Sequence, residues 1–337
     1  VAGSTAGILV SELLDQFLTY AETHYRTSAG KPTDSSQKFA DVLEPVNELY
    51  GDVPAIEFGP IALKAVRQAM IDKGWARGTI NRQITRVRRV FRWAASEELV
   101  PASVPQALAM LQGLQRGRSK ARDCEPIKPV PRGDVEATLP HLNRHLRTMV
   151  QLQMLTGMRP GEICRLTMAE VNESGDVWVW RPSEHKTAYR DGDRIILFGP
   201  RAQQVIREFQ AGLSEKSIGV LFSPRIAREE RYRELRAKRK TKVPPSQKNR
   251  RKLHPEKPAR DHSHATSYAH AIGFAAKRGG VPHWHPNQIR HLVATEVRQR
   301  YGLEAAQVIL SHARADTTEI YAERDLKLGM RIASEVG

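Results

Sequence analysis

Cysteine is scarce in this chain. The 337 residues include two, Cys124 and Cys164, too far apart for a CxxC motif, so a disulfide framework and a thiolate metal centre are both poor readings. Both are expected to be small buried hydrophobes in a reducing cytoplasm. Long apolar runs are also lacking: no stretch could span a bilayer, and the N-terminus has no signal-peptide pattern. The chain opens on Val1, as a piece of a longer protein would. No internal repeat is visible. Acidic residues are in deficit, 37 Asp and Glu against 53 Lys and Arg, for a formal net charge of +16 and a pI near 10.1. That excess calls for a polyanionic partner, nucleic acid before membrane, because no lipid-anchor motif accompanies a basic amphipathic helix. Charge alone does not separate an enzyme acting on DNA from a passive binder or a ribosome-associated protein.

The length suits two domains, each with its own core. The first third reads as helical. Ser11 can cap a helix carrying Leu13, Leu14, Phe17, Leu18 and Ala21 at helical spacing. A second helix is expected from Pro60 to Gly74. A third, from Thr79, aligns Ile80, Ile84, Val87, Phe91 and Ala94 on one face, with Arg82, Arg86, Arg89 and Trp93 largely off it. Such a helix can bury one side in a bundle and offer guanidinium groups to phosphates. Residues 115–132 (QRGRSKARDCEPIKPVPR) are polar, basic and Pro-containing, as a linker between domains would be.

The second part opens with helical patterns from Asp134 to Leu155, ending at Gly157. Pro160 then starts a short helix, which puts Arg159 on the turn between two helices. Strands are expected at 176–181 and 194–198, joined by a loop with Lys186 near its start. Helices return at 201–209, 266–277, 288–300 and 304–310. Residues 225–252 carry 13 Lys or Arg against 3 Glu. They read as a basic insertion, disordered, solvated or ordered on DNA, with Arg236, Lys238, Arg239 and Lys240 as candidate DNA contacts.

Five boxes carry the chemistry. TGMRPGEI holds Arg159 and Glu162, HKT holds Lys186, and PNQIRHLVAT holds Asn287, Arg290 and His291. ILSH holds His312, and TTEIY places Tyr321 nine positions further on. Two arginines can clamp the charged oxygens of a phosphodiester. A tyrosine can attack phosphorus if nearby cations stabilise phenolate character, and a lysine can protonate the leaving oxygen. A histidine can donate to the transition state. Singly, each residue has a plainer reading: Arg159 as an ion pair with Glu162, His312 as a structural histidine, Tyr321 as a packed aromatic.

Together, in this order, the boxes resemble the tyrosine recombinase (phage integrase) family, over most of residues 134–336. The resemblance implies a mainly α fold with a small antiparallel β-sheet in two domains. An all-helical core-binding domain would span residues 1–114 and an α+β catalytic domain residues 133–337, with the basic insertion at about 225–262. It implies catalytic roles for Arg159, Lys186, Arg290, His312 and Tyr321, with Arg82, Arg86 and Arg89 among the DNA contacts. It also implies a 3′-phosphotyrosyl intermediate that needs neither metal nor cofactor. The partners would be double-stranded DNA and further copies of the chain, as a tetramer on paired sites, in the cytoplasm at the nucleoid. Asn287 stands where the family usually has histidine; an amide can position a phosphate oxygen but exchanges no proton near neutrality. Ser311 stands where glycine is common. The tail after Tyr321, with Leu326, Leu328, Met330 and Ile332, could dock on a neighbour or on its own subunit. Two other functions stay open, a type IB topoisomerase and a non-catalytic DNA-binding regulator. Zinc at His254, His262, His264 and His270 has little support, because few carboxylates and no cysteine accompany them.

Overall fold

The computed structural model describes residues 7–27, 30, 32–183, 194–213, 219–244, 260 and 262–311. Two compact units divide the chain, Val1–Pro126 and Ile127–Gly337.

The first unit is a helical bundle of α1 (Val10–His24), α2 (Ser35–Tyr50), α3 (Pro60–Asp72), α4 (Arg77–Ser96) and α5 (Ser103–Ala109). The apolar stripes of these helices form its core: Leu13 and Phe17 of α1, Phe39 and Leu43 of α2, Leu63 and Val66 of α3, Ile84, Val87 and Phe91 of α4. Phe58 stacks on Phe91 with ring centroids 4.7 Å apart, a contact that adds to what burial of each ring supplies. Ser11 does not cap α1. The helix begins at Val10 with Leu9 as N-cap, and the Leu9 N–H donates to the Glu12 carboxylate (3.0 Å). Trp93 is half-buried rather than presented to solvent, its ring 5.3 Å from those of Phe17 and Tyr20.

The segment read as a linker is tied down in its first half. Just before it, the Leu114 backbone exchanges two hydrogen bonds with Asn81 (3.0 and 2.8 Å). The Arg77 N–H donates to the Arg122 carbonyl (2.8 Å), and its guanidinium pairs with Asp123.

The second unit holds α6 (Arg132–Thr138), α7 (Arg144–Thr156), α8 (Pro160–Arg165), a three-stranded sheet, α9 (Pro200–Ala211), α10 (Pro224–Ala237), α11 (Ala265–Arg278) and α12 (Asn287–Leu310). The sheet is antiparallel in the order β1 (Val171–Asn172), β2 (Trp178–Trp180), β3 (Ile196–Phe198). Its register pairs Val171 with Trp180 and Trp178 with Phe198. Strand alternation turns Trp178, Trp180, Ile196 and Phe198 inward, onto Met149, Leu152, Ile206 and Phe209. The buried indoles find acceptors, Trp180 at Glu170 (2.9 Å) and Trp284 at Thr138 (3.1 Å), as buried N–H groups require.

Two expectations need correction. The basic segment is not a disordered loop from residue 225, because residues 224–237 form the continuous helix α10. Cys124 is exposed, and only Cys164 is buried, its thiol pushed up to about 12 by burial. Helix α12 is interrupted: Gly302 sits at φ 89°, ψ 174°, so two helical stretches meet there at an angle. Among the described residues, no helix is long and apolar enough to cross a membrane.

Candidate active site

The site grows from the end of α7. Gly157 closes that helix in the left-handed region (φ 64°, ψ 13°) and its N–H donates to the Gln153 carbonyl, a conformation glycine adopts without strain. Space demands glycine here as well, since an added Cβ would lie 2.7 Å from Leu310 Cδ2 and 3.2 Å from Val293 Cγ1. Below the turn, Gln153 donates to the Met158 carbonyl (2.9 Å) and accepts from the Tyr268 hydroxyl (2.8 Å). This fixes the TGMR backbone.

Arg159 is the N-cap of α8, with Pro160 at the first helical position. Its N–H donates to Glu162 Oε2 (2.7 Å) and its Nη1 to Glu162 Oε1 (2.9 Å). Glu162 is buried and takes a second guanidinium. Arg194, at the entry to β3, donates Nε to Oε1 and Nη2 to Oε2, both at 2.8 Å. Burial alone would raise the Glu162 carboxyl; hydrogen bonds and charge from Arg194, then from Arg159, hold it down at about 2.

Arg194 does more. Its Nη1 donates to the Leu310 carbonyl (2.5 Å). Arg290, from the first turn of α12 and fully buried, donates Nη2 to the same oxygen and Nη1 to the Gly157 carbonyl, each at 2.7 Å. A continuous polar network thus runs from Arg159 through Glu162 and Arg194 to the Leu310 carbonyl and Arg290. Leu310 ends α12, where helix carbonyls lack partners and the helix dipole is negative, a natural seat for cations. Ser311 follows at φ 46°, ψ 55°, and its hydroxyl donates to the Ile195 carbonyl (2.5 Å). The chain leading to position 312 is therefore pinned on both sides. Arg159 and Arg194 meet the one Glu162 carboxylate and Arg290 joins them through the Leu310 carbonyl, a positive surplus suited to an anion.

Asn287 is half-buried at the start of α12, one helical turn before Arg290. His291 is buried beside it. His285 is half-buried, and burial, then the charge of His283, lowers its pKa. Lys186, His312, Tyr321 and the tail with Leu326, Leu328, Met330 and Ile332 lie outside the described residues, as does His254.

The basic residues fall in two places. Arg82 and Arg89 are exposed on α4 and Arg86 is half-buried, bonded to Gln83. Arg236, Lys238, Arg239 and Lys240 are exposed at the end of α10 and just beyond it. Glu230 anchors α10, taking Arg144 Nη2 at 2.8 Å and pairing with His145 Nε2 at 3.0 Å. Burial, aided by the charge of Arg144, lowers the pKa of His145 against the opposing pull of Glu230.

Sequence reasoning missed Arg194. The available signal was a cation opening the apolar strand run RIILF, a position that a buried partner must compensate.

The sequence profile of the phage integrase family matches residues 134–327. The chain belongs to that family. A search of curated proteins returned no match. Among solved structures, the Tn1549 transposon integrase in complex with transposon right end DNA is similar at a TM-score of 0.67 and 15% identity, covering 98% of this chain and 99% of that one. Lambda integrase residues 75–356, a dimer bound to a COC′ core site, is similar at a TM-score of 0.66 and 12% identity, covering 94% and 96%. The lambda integrase tetramer bound to a Holliday junction gives 0.65 and 12%, covering 95% and 79%. At these identities the likeness is one of fold: mainly α with a small antiparallel sheet, as a tyrosine recombinase.

Proposed function

We propose that the chain is a site-specific DNA recombinase that cleaves and rejoins strands through a 3′-phosphotyrosyl link on Tyr321, in the integration or excision of a mobile element. The observation that carries this reading is the network joining Arg159 and Arg290, the two arginines of the family boxes, through Glu162, Arg194 and the Leu310 carbonyl. Two guanidinium groups fixed in this way are suited to the non-bridging oxygens of one phosphate. Tyr321 attacks phosphorus, Lys186 protonates the departing 5′-oxygen, and His312 donates to the transition state; Asn287 positions an oxygen. Attack by a partner strand's 5′-hydroxyl reverses the step. Arg82, Arg86 and Arg89 of the helical unit, the core-binding domain, and Arg236, Lys238, Arg239 and Lys240 hold the DNA backbone. The active assembly is a tetramer on paired DNA sites, consistent with the lambda tetramer on a Holliday junction.

The test is covalent capture. A pool of nicked duplexes with a randomised central segment is incubated with the full chain, and adducts are isolated, amplified and sequenced. Wild type is expected to give an adduct mapping to Tyr321, and Tyr321→Phe to bind the captured duplex without forming one. An adduct retained by Tyr321→Phe refutes the nucleophile; no adduct at all refutes strand cleavage.

A further inference from the structure

We propose that Arg194 is a positioning residue for strand transfer, its guanidinium holding Arg159 and the turn that leads to His312 in one register. The inference rests on the recombinase reading above. Arg194 is buried with its guanidinium wholly committed to protein acceptors, so it acts through its neighbours. All three of its nitrogens are committed: Nε and Nη2 to the two oxygens of Glu162, Nη1 to the Leu310 carbonyl. Glu162 in turn grips the Arg159 guanidinium and backbone. The Leu310 carbonyl is shared with Arg290 and stands two residues before His312. Arg194 is thus a link between the Arg159–Glu162 half of the site on α8 and the half built at the end of α12, beside Arg290, which ties the Gly157 carbonyl to the same end. Buried ion pairs add little net stability over well-packed apolar groups. What this one supplies is a fixed relation between elements distant in sequence. Lysine, a point charge without a planar fork, cannot serve three acceptors in this geometry.

The experiment compares wild type, Arg194→Lys and Arg194→Ala as full chains on the captured nicked duplex, measuring DNA affinity by gel shift and single-turnover adduct formation separately. Both variants are expected to bind DNA within about threefold of wild type. Adduct formation should fall about 100-fold, the scale of an ångström-level misplacement of reacting groups. Free guanidinium should restore part of the rate to Arg194→Ala and none to Arg194→Lys, a response that general loss of structure would not give. If Arg194→Ala does not fold, Arg194→Lys carries the test through its split between affinity and rate. A folded variant that cleaves at the wild-type rate, a parallel loss of affinity and rate, or a folded Arg194→Ala that guanidinium leaves unchanged overturns the proposal. Wild type that binds duplex DNA yet forms no adduct overturns the recombinase reading first, and this inference with it.

Discussion

Replacing Glu162 with glutamine tests the electrostatics of the buried cluster. The carboxyl is held at about 2 against an ordinary value of 4.5, a displacement that contributes about 3 kcal/mol at neutral pH. An independent figure agrees: removing one member of a buried charge pair costs roughly 3–5 kcal/mol. Glutamine keeps the shape but leaves Arg194 and Arg159 without their counter-charge. Because the folded value lies below the unfolded one, the stabilisation is complete above pH 4.5 and is lost as pH falls from there toward 2. The stability gap between wild type and Glu162→Gln should therefore be widest near pH 7 and narrow below 4.5. Two units in one chain make a single melting curve ambiguous. Amide hydrogen exchange of α7, α8 and β3, corrected for intrinsic rates, isolates the second unit. A gap under about 1 kcal/mol at pH 7, or one unchanged between pH 7 and 3.5, would refute the reasoning.

Gly157→Ala should destabilise the same unit by roughly 2–5 kcal/mol, combining the left-handed backbone with the crowding against Leu310 and Val293; loss of less than about 1 kcal/mol by exchange would contradict both causes. Native chain treated with iodoacetamide at pH 8 should be alkylated at exposed Cys124 and spared at buried Cys164, whose thiol is pushed up to about 12. Peptide mass spectrometry reads the ratio, and equal labelling would count against the burial of Cys164. Arg89→Ala should weaken binding evenly across DNA sequences and lower the slope of log affinity against log salt by about 0.9. A titration series showing an unchanged slope would remove Arg89 from the phosphate contacts.

Periodicity made α4 legible: its apolar residues recur every three or four positions and its arginines fall elsewhere. The β2 and β3 runs were legible because each is a short continuous run rich in β-branched and aromatic residues between polar segments. Helix α10 was hidden for the opposite reason. Ile226 is its one buried residue among charges on every side, so no stripe distinguishes it from a solvated loop. Helix α2 carries Pro45 within it, and β1 is two residues long, too short for any pattern. Of the candidate site, Arg159, Asn287 and Arg290 were named from boxes; Arg159 and Arg290 fall in one network, and Asn287 lies one helical turn before Arg290. Arg194 was not, because its importance comes from partners 32 and 116 residues away, which local spacing does not encode. The exposure of Cys124 likewise depends on how a Pro-rich segment lies, not on the residue type.

The break at Gly302 decides whether this site can exist. At 1.5 Å per residue, an unbroken helix would set Arg290 and Leu310 roughly 30 Å apart, yet guanidinium and carbonyl lie 2.7 Å from each other. The chain must double back between them, and the glycine provides the elbow. Lengthening either arm by even one residue would rotate the carbonyl by about 100° around its axis and carry it out of reach of both arginines. The number of residues between Arg290 and Leu310 is therefore set by the geometry of this turn.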